Sequence, residues 1–168
     1  LSLPGSMKAE WIKDMAEDPI VFVCSNPQPE IWPWEAEEAG ARIIATGRSD
    51  FPNQVNNSLG FPGIFRGTLD VRAKTITDEM CIAAARAMAE IAEKNGLHEE
   101  YIIPTMDDWE VFPYEAAKVG EMAVKQGVAR LDMTFDEIYN IAEKTIRDAR
   151  EEVQLLMKEG YIPLPEQD

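Results

Sequence analysis

The chain has 168 residues, 45% of them hydrophobic, which is enough for one domain with a buried core. Its formal net charge of −15 gives a surface that repels phosphate backbones, so the composition argues against a nucleic-acid-binding protein. No stretch is apolar for long enough to span a membrane, and the well-separated Cys24 and Cys81 favour reduced, buried thiols in a cytoplasmic protein.

The first part of the chain has the pattern of a strand–helix–strand unit. Residues 8–16 predict a short helix, and the unbroken apolar run at 20–24 predicts a parallel strand that is buried on both faces. A short helix over 34–39 should end at Gly40, and a second strand follows at 42–46. This spacing predicts a βαβ unit with a right-handed crossover.

The remainder of the chain is predicted to be helical. Thr77 caps a helix that runs to about residue 95, and a second helix covers 113–126. The capping box Thr134-x-x-Glu137 starts a last helix of roughly 35–40 Å, longer than its own domain needs. We therefore expect this helix to lie against something more than its own domain.

The number of strands is low for an α/β fold. Two convincing strands and about five helices are fewer strands than the five or six of a typical sheet. The pattern fits the second half of a larger α/β domain with few parallel strands, and the alternative is a small α-rich domain.

Asparagines follow both predicted strands. Asn26 lies just after the first strand, and Asn56 and Asn57 lie in the polar segment after the second. Ligands of open α/β sheets bind outside the carboxyl ends of the strands, and an amide offers a donor and an acceptor without charge. These three residues are therefore candidates for ligand binding, with loop or capping duty as the alternative for each one. Asn53 is predicted to cap the helix that carries the other two.

A locally basic window covers residues 42–74. Five basic residues against two acidic ones give it a charge of +3, which leaves −18 for the rest of the chain. The window could hold a small anion, or its charge could be accidental. The basic residues are Arg42, Arg48, Arg66, Arg72 and Lys74.

Other residues that can carry chemistry have simpler structural explanations. His98, the only histidine, is predicted to lie on the surface, and Asp107 and Asp108 are predicted to form a solvated turn rather than a metal site. Cys81 is predicted to lie in the core. The aromatic residues predicted to pack the last helices, rather than to form a binding platform, are Trp32, Trp34, Trp109 and Phe112.

Three long motifs identify a family. "SNPxPE" at 25–30, "ATGRSDFPNQVNN" at 45–57 and "GFPGIFRGxLDVRA" at 60–73 resemble the carboxyl-terminal half of the NAD(P)-binding domain of malic enzymes, particularly the compact prokaryotic type. The resemblance implies a partial Rossmann-like domain over 1–130. It implies that 131–168 form a carboxyl-terminal helix and tail that pack on the missing part of the enzyme or on a partner subunit.

The resemblance also implies an activity and a set of roles. Malic enzymes oxidise L-malate with NAD or NADP and decarboxylate the product to pyruvate with Mg²⁺ or Mn²⁺. By motif, Asn26 and Asn56 contact the cofactor, and Asn57 contacts malate. The family's catalytic Lys and Tyr, its carboxylate metal ligands and its Gly-rich fingerprint have no matching positions here.

The chain alone is therefore expected to hold no catalytic residue and no metal ligand. It is expected to be inactive without the amino-terminal half of the enzyme or another subunit. The alternative is a non-catalytic oligomerising module derived from such an enzyme, and a homo-oligomer is expected.

Overall fold

A computed structural model describes residues 2–164 of the chain, which has an α/β fold, as predicted. Among these residues, no helix combines the length and the apolar character that crossing a bilayer requires. The elements in chain order are α1 Ala9–Lys13, β1 Ile20–Val23, α2 Pro33–Glu38, β2 Ile43–Thr46, α3 Asn57–Asp70, α4 Asp78–Asn95, α5 Val111–Lys125 and α6 Phe135–Lys158.

Strands β1 and β2 pair in parallel, with Ile20 opposite Ile43, and α2 connects them. The predicted βαβ order is therefore confirmed, and the described residues contain one two-stranded sheet. Val21 and Val23 are buried in a small core with residues of α1 and α2. Ile20 and Phe22 alternate with them and are more than half exposed. The prediction that β1 is buried on both faces is wrong for this chain, because α1 and α2 cover only one face of the sheet.

Helices α3 to α6 form a second core, in which α5 contacts the other three helices. The backbones of α3 and α5 approach closely at Gly67. A Cβ added there would lie 2.2 Å from the carbonyl oxygen of Ala116, so glycine is required for this contact. The buried residues of this core are Val71, Met80, Ala84, Ala117, Val119, Ala123 and Ile138.

The predicted helix ends are confirmed where capping residues marked them. The Thr77 side chain accepts a hydrogen bond from the Met80 N–H at 3.2 Å at the start of α4. The Thr134 hydroxyl accepts from the Glu137 N–H, and the Glu137 carboxylate accepts from the Thr134 N–H at 2.8 Å. The bonds that the Thr134 N–H and hydroxyl donate to the Glu137 carboxylate hold the pKa of Glu137 below its usual value. Gly40 follows the end of α2 with a φ of 103°, as expected for a residue that closes a helix.

The apolar stripe of helix α6 is buried against the rest of the chain only near the start of the helix. Ile138 and Ala142 are buried, whereas the continuation of the same stripe at Val153 and Leu156 is exposed. The expectation that this helix lies against something further stays a prediction. The end of the predicted tail, residues 165–168, lies outside the described residues.

Both cysteines are free, as predicted, but neither is buried. Cys81 is exposed because α4 directs its neighbours Met80 and Ala84 into the core, and the next residue along a helix points about 100° away. Cys24 is half-buried at the end of β1. The prediction of buried thiols, and of Cys81 as a core residue, is therefore wrong.

Candidate functional site

The loops that follow β1 and β2 contact each other at the carboxyl end of the sheet. The Nη1 atom of Arg48 donates to the carbonyl oxygen of Pro27 at 2.6 Å. A Cβ added at Gly47 would lie 3.3 Å from the carbonyl oxygen of Cys24. The segment that carries Asn26, which precedes Pro27 through a cis peptide bond, therefore lies beside the segment that leads to α3.

Asn56 is the N-cap of α3. Its Oδ1 accepts from the Ser58 N–H at 3.0 Å, and its Nδ2 donates to the carbonyl oxygen of Gly47 at 2.9 Å. The side chain thus fixes the start of α3 to the loop after β2. Each end of the amide can form a further hydrogen bond, so the predicted contact with the cofactor is compatible with this geometry and stays a prediction.

Asn53 does not cap α3, contrary to the prediction. It is buried with a φ of 53°, and its Nδ2 donates to the carbonyl oxygens of Ile44 at 3.0 Å and Glu99 at 2.7 Å. Its Oδ1 accepts from the Ile102 N–H at 2.9 Å. Asn53 therefore satisfies a backbone group on the free edge of β2 and ties that edge to the segment before α5.

Asn26 and Asn57 are exposed, and neither side chain has a hydrogen-bond partner among residues 2–164. Asn57 is the first residue of α3, a helix of 14 residues, and it lies at the positive end of the helix dipole. The two amides can donate and accept hydrogen bonds with a ligand outside the strand ends. An amide matches a carboxamide, a hydroxyl group or a carboxylate oxygen.

A buried carboxylate shapes the turn that carries Asn26. Glu30 accepts hydrogen bonds from the Ser25 N–H at 3.0 Å, from the Ser25 hydroxyl at 2.7 Å and from the Ser2 N–H at 2.9 Å. Burial raises the pKa of Glu30, but the bonds from Ser25 and Ser2 outweigh it and bring the pKa to about 2. Sequence reasoning missed this role, although Ser25 and Glu30 are the first and last residues of the "SNPxPE" motif.

Arg48 is a link between the loops rather than a free cation. Its Nε donates to Asp50 Oδ1 at 2.7 Å, and its guanidinium lies 5.7 Å from the ring centres of Trp32 and Phe51. The bond to Asp50 raises the pKa of Arg48, and the bond from Arg48 lowers the pKa of Asp50. Arg48 and Asp50 thus shape this turn.

The tryptophans divide between two places. Trp32 and Trp34 stack at 4.7 Å beside Phe51, so the prediction that they pack the last helices is wrong. Trp109 lies 5.7 Å from the guanidinium of Arg150 on α6 and does contact the last helix, as predicted. The sequence carried a signal for the location of Trp32 and Trp34: they lie between the two strands along the chain, and this connection keeps them beside the sheet.

Most of the basic window is neutralised locally. Arg42 pairs with Asp18 at 3.0 Å and with Glu99 at 3.2 Å. Arg48 pairs with Asp50, and Arg66 pairs with Asp70 one helical turn away. Three of the five cations thus have carboxylate partners. This favours the alternative that the positive charge of the window is accidental and does not bind an anion.

The described residues offer no obvious metal centre. No group of three or more His, Cys, Asp or Glu side chains among residues 2–164 is arranged to hold an ion. His98 is exposed, as predicted. Asp108 accepts from the Thr105 N–H at 2.7 Å and from the Tyr101 hydroxyl at 3.2 Å, so it stabilises its own turn.

A cavity of about 580 Å³ lies elsewhere, between α2, the free edge of β2 and residues 98–100. Asn26, Asn56 and Asn57 do not line it. The cavity is therefore separate from the candidate site at the strand ends. Its lining includes Trp34, Arg42, Phe51, Asn53 and Glu99.

Comparison with known proteins identifies the family. A sequence model described as "Malic enzyme, NAD binding domain" matches residues 2–124. The chain belongs to the malic enzyme family. The predicted family and the partial NAD-binding domain are thereby confirmed.

Similar relatives include malic enzymes that are much longer than this chain. The bifunctional malic/malolactic enzyme of Bacillus subtilis is 50% identical over 145 residues, which are 86% of this chain and 35% of that protein. The NADP-dependent malic enzyme of Halomonas elongata is 46% identical, and the match covers 83% of this chain and 38% of that protein. The chain thus spans little more than a third of their length, as expected for a fragment.

A crystal structure of the malic enzyme of Entamoeba histolytica superposes with a TM-score of 0.95 at 59% identity. The match covers 98% of this chain and 35% of that one. The similarity therefore extends through α6, beyond the residues that the family model matches, and it confirms the fold of the whole described chain.

Proposed function

We propose that this chain is the carboxyl-terminal part of the cofactor-binding domain of a malic enzyme. In the complete enzyme it contributes to the oxidation of L-malate by NAD or NADP and its decarboxylation to pyruvate and CO₂. The observation that carries the proposal is the pair of exposed, unpartnered amides of Asn26 and Asn57 at the carboxyl end of a parallel sheet. The family match over 2–124 supports the same conclusion.

The three asparagines have separate roles in this proposal. Asn26 and Asn56 contact the nicotinamide part of the cofactor, which accepts a hydride from malate when it is bound. Asn57 contacts malate, and its place in the first turn of α3 favours an anionic group nearby. Hydride transfer depends on the orientation of two reactants, and amides fixed to a helix start supply orientation without adding charge.

The remaining chemistry belongs to the amino-terminal half in this proposal. Because no metal-binding group of side chains occurs among residues 2–164, these residues do not fit a Mg²⁺ or Mn²⁺ site. The metal ligands, the general base and the general acid would come from the other part of the enzyme. No step of the reaction is assigned to a residue of this chain.

Exposed apolar surfaces support a larger assembly. Ile20 and Phe22 leave one face of the sheet open, and Phe61, Phe65 and Leu69 form an exposed stripe on α3. The stripe on α6 beyond Ala142 is also exposed. We infer that the amino-terminal half or a second subunit covers these surfaces, including the exposed part of α6 beyond Ala142. A homo-oligomer is part of this proposal.

The proposal places the protein in the cytoplasm. Its two cysteines are free, one exposed and one half-buried, and thiols that are accessible in this way persist in a reducing compartment.

Reconstitution tests the division of the enzyme into two parts. The chain is mixed or co-expressed with an amino-terminal half taken from a homologous malic enzyme, and malate-dependent reduction of NAD and NADP is followed by absorbance. Activity is expected in the mixture and not in either part alone. Activity of the isolated chain would refute the division, and an inactive mixture that nevertheless forms a stable complex would refute the proposed roles.

Single substitutions in the active mixture test the roles of the amides. Asn57→Ala is expected to raise KM for malate, and Asn26→Ala to raise KM for the cofactor, each by about tenfold, the equivalent of one hydrogen bond of about 1.4 kcal/mol. Asn140→Ala, on an exposed part of α6, is the matched control and should leave both constants unchanged. If Asn57→Ala behaves like the control, the malate contact is wrong.

The alternative, a non-catalytic oligomerising module, predicts a different outcome. The two-stranded sheet of the described residues is the observation in its favour, because an exposed sheet edge must be paired or covered. Size-exclusion chromatography with light scattering would then show a stable homo-oligomer. Calorimetric titration would show no affinity for NAD, NADP or malate, and clear binding by the chain alone would exclude this alternative.

A further inference from the structure

A carboxyl group is buried without a partner where α3 packs on α5. Glu115 of α5 is fully buried, and neither of its carboxyl oxygens has a hydrogen-bond partner among the described residues. A Cβ added at Gly63 would lie 2.2 Å from Oε2, and one added at Gly60 would lie 3.9 Å from Oε1. The carboxyl group therefore occupies the space that a side chain at Gly63 would fill, and it lies at ordinary contact distance from the Cβ position of Gly60.

This environment favours the neutral acid. Burial alone raises the pKa of Glu115, to about 9, and no charged neighbour contributes to the shift. From α3 the group faces Gly60 and Gly63, and Met88 of α4 closes the same space, with its Cε 3.7 Å from the Cβ position of Gly60. A carboxylate formed here would have neither a counter-ion nor water, which is strongly unfavourable.

Two ion pairs engage charged groups of α3, α4 and α5. On α3, Arg66 pairs with Asp70. Glu90 of α4 accepts from the Tyr114 hydroxyl at 2.6 Å and pairs with Lys118 at 3.3 Å. Where α6 packs against α5, Phe135 contacts Tyr114 and Ile138 lies beside Gly120. Tyr139 stacks on Phe135 and is the one ionisable group among these three α6 residues.

The position of Glu115 relates it to the candidate site. Gly60 lies one helical turn after Asn56 and Asn57, so the carboxyl group packs directly behind the turn that carries both amides. We propose that Glu115 is a positioning residue, which as a neutral acid holds the first turns of α3 in place and on losing its proton displaces them. The inference rests on the proposed function only in the role it gives to the two amides.

The direction of the pH effect follows from proton linkage. The packed state holds the proton on Glu115, and a state in which α3 has moved away exposes the group and releases the proton to water. The equilibrium constant for opening should therefore rise about tenfold per pH unit between about pH 4.5 and about pH 9, and level off above that. Below this range the packed state is fully stabilised.

Hydrogen exchange measured by mass spectrometry on the full chain tests this coupling. Exchange rates are corrected for the intrinsic effect of pH and compared between wild type and Glu115→Gln from about pH 6 to about pH 9. In wild type, opening in a peptide that covers residues 57–64 is expected to rise about tenfold per pH unit. In Glu115→Gln, which keeps the shape but cannot ionise, it should not depend on pH.

A peptide from α4, residues 83–92, serves as the internal control. If Glu115 acts only on global stability, the α3 and α4 peptides will change together, and the proposal is overturned. Equal pH profiles in wild type and Glu115→Gln overturn it as well. If Glu115→Gln does not fold, Glu115→Met takes its place, and a flat wild-type profile is by itself sufficient to refute the coupling.

The active mixture provides a second readout. KM for malate is expected to rise with pH in wild type and to rise less in Glu115→Gln, because both amides move with α3. Hydrogen exchange requires neither cofactor nor malate. A failure of the proposed function would therefore leave the coupling of α3 to Glu115 fully testable.

Discussion

Replacing Gly67 with alanine tests the close packing of α3 on α5, which fixes the helix that carries the candidate site. Alanine within a helix is favoured over glycine by about 1 kcal/mol. A Cβ at this position, however, would lie 2.2 Å from the carbonyl oxygen of Ala116 and 3.0 Å from the Cβ of Val119. The carbonyl belongs to the backbone of α5 and cannot rotate away, so the two helices must separate by more than about 1 Å to restore contact at about 3.5 Å.

Overpacking of this kind costs about 1–3 kcal/mol and more where the backbone must move, so we expect a net loss of about 2 kcal/mol. Gly60→Ala is the matched control in the same helix, because its nearest neighbour, the Cε of Met88, would be 3.7 Å away. That variant should gain up to about 1 kcal/mol. The two variants should therefore differ by about 3 kcal/mol.

Urea unfolding followed by circular dichroism and tryptophan fluorescence measures this difference. Unchanged m-values would show that the shift reflects stability rather than a change of the unfolded state. In thermal unfolding the same difference corresponds to about 6–12 °C for a chain of this size. If Gly67→Ala is as stable as Gly60→Ala, the close approach of the two helices is not as described.

Three further predictions concern buried and reactive groups. Gly63→Ala should cost about 1–3 kcal/mol because its Cβ would meet the Glu115 carboxyl, and much less in a Glu115→Ala background; a double-mutant cycle with additive costs would contradict this. For Glu30, a folded pKa of about 2 means that its stabilisation is present above about pH 4.5 and is lost as the pH falls toward 2. Glu30→Gln should therefore lower the free energy of unfolding at neutral pH by up to about 3 kcal/mol and flatten the acid limb of the stability profile; an unchanged acid limb in urea titrations would count against it. Cys81 should react with a maleimide faster than Cys24, because Cys81 is exposed while burial and Glu30 raise the pKa of the Cys24 thiol; peptide mapping that shows the reverse order would refute the assignment.

Local signals in the sequence were reliable. Thr77, Thr134 and Gly40 each act within four residues of their own position, because a cap bonds to the backbone of its own first or last turn. The apolar run at 20–24 and the segment at 42–46 likewise predicted the two strands and their parallel order.

The candidate site was predicted in part. The sequence indicated that Asn26, Asn56 and Asn57 follow the strands, and the structure places their loops in contact. It did not reveal which asparagine caps α3, because Asn53 and Asn56 are equally good capping residues and only three positions apart. Asn53 is instead held by Glu99 and Ile102, residues more than 40 positions away. No local pattern encodes such a partner.

The sequence by itself determined the family, the order of the elements and the capped ends of the long helices, because motifs and caps depend on neighbouring residues. Only the tertiary structure decided which groups are enclosed. Glu115 resembles any polar residue of an amphipathic helix until Gly60 and Gly63 of α3 close over it. The exposed side of β1 is the converse case: its apolar residues predict burial, but burial depends on what packs against the strand, and the described residues cover one face only.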